Sequence, residues 1–171
     1  VALVSVHDLT SLAQLDVSYS LITIKLDRNH PSYLRNQGVE KTSGAVLGFL
    51  DDDTVIPSNW VSDIAGILGE HPGRIIGGAN VDHQPQFRFQ LANAIQEHPL
   101  LEGLKNHRSL ADEEIEIGHH DLPLSNAAMT RETFERIGGF NEVANYFMDG
   151  SEFLYIASRL GIPIHLYRSL E

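Results

Sequence analysis

The sequence contains no cysteine. That absence excludes a disulfide framework and thiolate chemistry, and it fits a reducing compartment. Long apolar runs are missing too: none approaches the roughly 20 residues that a membrane-spanning helix needs. Basic residues are few and scattered, 12 against 23 acidic ones, for a formal net charge of -11. A nucleic-acid binder gathers Lys and Arg to displace counterions from phosphate, so nucleic acid is not an expected partner. An acidic protein still binds an anionic nucleotide where a metal ion carries the phosphate charge. Internal repeats and low-complexity linkers are also absent. What is present is an ordinary globular composition, 42% hydrophobic over 171 residues, enough for one domain with a substantial core.

Residues 1–6 form a short β-rich apolar run, read as a strand, and His7-Asp8-Leu9-Thr10 as the loop after it. A short helix is expected over 11–18 and a second strand over 21–26. Pro31 and Ser32 open a helix through Thr42, with Gly44 as its stop. Residues 45–50 form a third strand, and the three strands are expected side by side in one sheet. Pro57-Ser58 starts a helix in which Trp60, Ile64, Ile67 and Leu68 have helical spacing. Residues 74–78 read as a strand ending in the pair Gly77-Gly78. Residues 82–120, broken by Pro85, Pro99 and Gly103, read as an irregular excursion, with Asp112-Glu113-Glu114 and Glu116 as solvated surface. Residues 122–129 are apolar again, Thr130 caps a helix over 131–137, and Gly138-Gly139 end it. A helix over 151–160 ends at Gly161, before a last strand over 162–167. This alternation gives an α/β domain with a mainly parallel sheet.

The sharpest chemical feature is Gly48-Phe49-Leu50-Asp51-Asp52-Asp53, where an apolar strand delivers three carboxylates at its carboxyl end. Ligands of open α/β sheets bind at that edge. Alternate side chains of an extended chain share a face, so Asp51 and Asp53 converge and repel unless a cation lies between them. Mg²⁺ or Mn²⁺ suits such oxygen donors and also binds a diphosphate. A turn and helix-capping cluster is the plain alternative. The pair His119-His120 lacks the spacing of a zinc site and reads as loop surface, and Phe140 reads as core.

Arg35-Asn36-Gln37-Gly38, then Ser43-Gly44, then Phe49-Leu50-Asp51-Asp52-Asp53 resemble the family 2 glycosyltransferases of GT-A fold. Asn126-Ala127-Ala128-Met129 and Phe134-Glu135-Arg136-Ile137-Gly138-Gly139-Phe140-Asn141-Glu142 resemble that family's second signature, except that Asn141 stands where Asp is usual. The resemblance implies a central sheet with helices on both faces and transfer of a sugar from a nucleoside diphosphate, most simply a UDP-sugar, to an acceptor hydroxyl with inversion. It implies Mn²⁺ or Mg²⁺ on Asp51 and Asp53. It places Asp8, Arg35, Asn36, Gly38, Asp51, Asp52, Gly78 and Asn126 about the nucleotide-sugar. The family's first strand has no counterpart, so the domain reads as N-terminally incomplete, with 82–120 on the acceptor side.

Where the family carries the aspartate that takes the acceptor's proton, this chain has Gly150. Asp149 and Glu152 are the neighbouring candidates for the base, with helix capping as the alternative for each. Gly150 also keeps open a catalytically silent GT-A-like binding module, and the acidic triplet keeps open a nucleotidyltransferase. The acceptor is expected to be a carbohydrate or a lipid-linked one. The setting is cytoplasmic, or the inner face of the membrane through flanking segments.

Overall fold

The computed structural model describes residues 2–5, 7, 22–51, 54–78, 114–143 and 149–170. The elements are β1 (Ala2–Ser5), β2 (Ile22–Lys25), α1 (Pro31–Glu40), β3 (Val46–Leu50), α2 (Trp60–Glu70), β4 (Ile75–Gly77), β5 (Glu114–Glu116), β6 (Asn126–Thr130), α3 (Arg131–Ile137), α4 (Asp149–Arg159) and β7 (Ile164–Tyr167), followed by a 3₁₀ turn at Arg168–Leu170. The helix expected over 11–18 lies outside the described residues.

Two sheets are described: β1 pairs with β2 in parallel, and five strands are ordered β3-β6-β4-β7-β5. The expectation of one sheet holding the first three strands is corrected, because β3 pairs with β6 and not with β1. Parallel character is partial. β4 and β7 pair in parallel, while β3–β6, β4–β6 and β5–β7 are antiparallel. β3, β4 and β7 therefore point one way, with β6 reversed between β3 and β4. The carboxyl ends of β3 and β4 share one edge, since Leu50 faces Asn126 and Gly77 faces Ala127.

Alternation along the strands sorts side chains to two faces. Leu47, Phe49, Ile75, Ala127, Met129, Ile164 and Leu166 pack against α3 and α4. Ile76, Ala128 and Tyr167 pack against Trp60, Ile64 and Leu68 of α2. Helices thus cover both faces, as expected. Two glycines are demanded by close approach. A Cβ on Gly48 would lie 2.6 Å from the Trp60 ring, and one on Gly77 would collide with the backbone oxygen of Asn126.

The capping expectations hold at α3: the Thr130 hydroxyl accepts from the Thr133 amide, and Gly138 ends the helix at φ 96°. At α1 the opening at Pro31 holds, while the helix stops at Glu40, with Lys41 as its cap. Gly44 does not adopt a positive φ. Arg131 from α3 supplies the closure instead. Its guanidinium donates to the carbonyl of Val39, in the last turn where a helix leaves acceptors open, and to those of Thr42 and Gly44 beyond it.

Residues 114–116 form β5, in which Glu114 and Glu116 are exposed, as the acidic run was read; residues 82–113 lie outside the described residues. Glu114 is a strand residue that pairs with Arg74 and lies 2.8 Å from His165. The alternation Glu114-Ile115-Glu116-Ile117 is the period-2 signal that marks it. Among the described residues, no helix is long and apolar enough to cross a membrane.

Candidate functional site

Asp51 follows the last residue of β3, at the shared carboxyl edge, and its side chain is 49% exposed. Its carbonyl accepts from the Thr54 amide, so the chain turns directly after the strand. The Arg35 guanidinium, on α1, lies 3.5 Å from the Asp51 carboxylate. The same guanidinium sits 5.5 Å from the centre of the Phe140 ring, within reach of a cation–π contact. Two predicted residues, Arg35 and Asp51, are therefore brought together. Asp8, Asp52 and Asp53 lie outside the described residues. Among the described residues, no three His, Cys, Asp or Glu side chains gather. Asp51 itself offers an accessible carboxylate oxygen, the donor class that Mg²⁺ and Mn²⁺ take, beside a basic group that already answers its charge.

Phe140 forms the floor beside this edge. It is buried, as read from the sequence, and stacks on Phe153 with centroids 4.4 Å apart. It also meets Phe49 edge-on at 5.3 Å. Each aromatic pair adds about 0.5–1.5 kcal/mol beyond its area, so the loop after α3 is anchored to the strand that carries Asp51.

Polar side chains lock that loop from two sides. Asn36 donates to the Phe140 carbonyl and to Glu142 Oε1, both at 2.9 Å, and accepts from the Phe140 amide at 3.0 Å. Asn141 donates to Glu152 Oε1 at 3.0 Å, and its side-chain Oδ1 accepts from the Val143 amide. Arg28 closes the outer side on Glu142 at 3.2 Å. The departure at Asn141 has a physical reason here, since an aspartate would set two carboxylates against each other where Asn141 now donates to Glu152.

Three residues expected about the nucleotide-sugar have contacts within the fold. Asn126 is buried. Its oxygen accepts from Trp60 Nε1 at 2.8 Å and its amide donates to the Leu170 carbonyl at 2.7 Å. Asn36 uses both amide hydrogens inside the protein, because an amide group carries only two. Gly38 lets α1 approach β1, since a Cβ there would lie 3.1 Å from Val4 Cγ2. Gly78 follows β4 and is buried.

The candidate bases lie on α4. Asp149 is its first residue, with its side chain outside those described, and Glu152 is in its first turn. Gly150 is helical, without positive φ. A Cβ there would lie 2.7 Å from the Leu124 side chain. The small residue thus fits the packing against Leu124. His119 and His120 form a turn, their rings 3.9 Å apart, with His119 against Tyr155.

His165 is buried, with Arg74, Glu114, Glu116 and Tyr167 about it on the α2 face. Its Nδ1 contact with Glu114 is a hydrogen bond when Nδ1 carries the ring proton. Burial, helped by Arg74, holds its pKa below the usual histidine value against the pull of Glu114 and Glu116.

None of the curated proteins compared matches the chain. The family model for glycosyl transferase family 2 matches residues 6–138, a span that holds the acidic strand end, the Arg35–Asn36 helix and the α3 cap. The chain therefore belongs to glycosyl transferase family 2, the glycosyltransferases of GT-A fold.

Proposed function

We propose that the chain transfers a sugar from a UDP-sugar to a hydroxyl of a carbohydrate or lipid-linked acceptor, in one displacement with inversion. The observation that carries this reading is Asp51: an exposed carboxylate at the carboxyl edge of the sheet, held against Arg35. Asp51 and Asp53 would hold Mn²⁺ or Mg²⁺. When bound, the ion stabilises the charge that develops on the leaving diphosphate. In the displacement the acceptor oxygen bonds to the anomeric carbon, and the bond from that carbon to the diphosphate oxygen breaks. The acceptor's proton passes to a carboxylate, Asp149 in the first place and Glu152 in the second. Arg35 is positioned to share charge with the diphosphate side, and Asp8 and Asp52 would complete the nucleotide pocket. The acidic, cysteine-free composition supports a cytoplasmic setting, with a lipid-linked acceptor reached at the inner membrane face.

Calorimetric titration of UDP with and without Mn²⁺ tests the metal bridge. Mn²⁺ is expected to raise UDP affinity by about tenfold or more, and Asp53→Ala to abolish that gain. Equal affinity in both titrations, or an unimpaired Asp53→Ala protein, would overturn the metal-dependent reading.

A further inference from the structure

The loop that follows α3 is held by a side chain that the reaction outlined above does not use. Asn36 faces the backbone of Phe140 with a donor and an acceptor at once, and its second amide hydrogen takes Glu142 Oε1. Asparagine suits this position because two acceptors, the Phe140 carbonyl and Glu142 Oε1, and one donor, the Phe140 amide, converge there. Aspartate would offer no donor and would repel Glu142. The loop is shaped to accept the clamp. Gly138 and Gly139 both have positive φ, 96° and 76°. A Cβ on Gly139 would also lie 3.2 Å from Asn36 Oδ1, so this glycine is needed for conformation and for room.

The clamp has two connections. On α1 the preceding residue is Arg35, which pairs with Asp51. On the loop, the residue after Phe140 is Asn141, which holds Glu152 at the start of α4. The donor edge and the carboxylate-bearing turn are thus joined through one amide.

We propose that Asn36 is a positioning residue, setting the height of residues 140–143, and through Asn141 the first turn of α4, over the edge where Asp51 follows β3. This rests on the transfer reaction above, because it is the acceptor side that the clamp places. Small displacements matter there: about 1 Å of misplacement far from the reacting atoms can cost on the order of 10²-fold in rate.

The test uses the intact protein with Asn36→Ala, and Asn36→Asp with and without Glu142→Gln. Hydrogen exchange reads the clamp without turnover. The Phe140 amide of Asn36→Ala is expected to exchange roughly tenfold faster or more, with the β6 and α3 amides still protected. In transfer assays kcat is expected to fall roughly 10- to 100-fold, while UDP affinity in Mn²⁺ stays within about twofold. Asn36→Asp is expected to be as impaired, and Glu142→Gln to recover part of its kcat by removing the repulsion. Unchanged exchange at Phe140, or unchanged kcat in an active parent, would overturn the proposal. So would a parallel loss of UDP affinity, kcat and β6 protection, which marks a merely structural residue. A parent that binds UDP with Mn²⁺ but transfers no sugar would overturn the transfer reading, and this proposal with it.

Discussion

The two faces of the five-stranded sheet use polar groups in opposite ways. On the α2 face, polar side chains are buried and paired: Trp60 to Asn126, Asn126 to Leu170, and His165 against Arg74 and Glu114, which reach the surface at the β5 edge. On the α3–α4 face the interior is aromatic, and the polar groups stand at its rim: Asp51, Arg35, Asn36, Asn141, Glu142 and Glu152. A polar group in the interior is costly unless satisfied, so those on the α2 face are bound to the fold. Those at the rim remain within reach of solvent and ligand. The same residue type, asparagine, thus has one role at 126 and another at 36.

Rim carboxylates should therefore govern turnover with little effect on stability. If Asp149 takes the acceptor's proton, Asp149→Asn should lower sugar transfer by roughly 10²–10⁴-fold. UDP affinity and the melting temperature should stay close to the parent's. Should Glu152→Gln produce that loss while Asp149→Asn remains active, the base is Glu152. Its bond from Asn141 would then orient it. If both variants transfer at the parent rate, neither carboxylate is the base, and the division between rim and interior fails where it matters most.

The interior should show the reverse. Asn126→Leu leaves the Trp60 indole N–H and the Leu170 carbonyl without their partner, both within a packed core. Each buried group left unsatisfied costs about 1–3 kcal/mol, so a loss of about 2–6 kcal/mol is expected for the two. That corresponds to roughly 4–24 °C in melting temperature for a chain of this size. Trp60 is the only tryptophan, so its fluorescence reports the same site directly. A variant with the parent's melting temperature but lost UDP binding would return Asn126 to the nucleotide.

Much of this division is legible in the amino-acid sequence. Trp60, Ile64 and Leu68 mark a helix face by spacing, and Thr130 with Gly138 marks a capped helix, because these signals are local. The acidic strand end is legible for the same reason, as is membership of the family. What escapes the sequence is non-local. Nothing near residue 40 reveals that Arg131 closes α1, and nothing near 126 reveals Trp60 as its partner. The motif that suggests ligand contacts for Asn36, Gly38 and Asn126 does not reveal the contacts that these residues make within the fold. A mainly parallel sheet overstates the case because alternating strands and helices do not reveal a reversed β6, whose small residues fit between β3 and β4.

The smallest expected effect is on acid stability, and it tests whether the α2-face cluster is a dry interior. The folded state holds the pKa of His165 down, through burial first and Arg74 second, with Glu114 and Glu116 opposing. A histidine depressed in the fold binds its proton more readily once unfolded. Its contribution is therefore present above the unfolded value, about 6.5, and is lost as pH falls through that value toward the folded one. Burial raises Glu114, but Arg74, Tyr167 and His165 together bring it below its ordinary value. Its contribution is lost lower still, below the usual carboxylate range. Acid should thus act in two stages, with His165 first. Between about pH 7.5 and 5.5 the parent's melting temperature should fall by on the order of a few °C. His165→Gln keeps a polar side chain without a titrating proton, so it should lose most of that fall. Arg74→Gln removes the cation that disfavours protonation of His165, so the acid-induced drop in melting temperature should shrink. Equal drops in the parent and in His165→Gln would show that this histidine titrates as a surface group does, and the α2 face would lose its claim to a dry interior at the β5 edge.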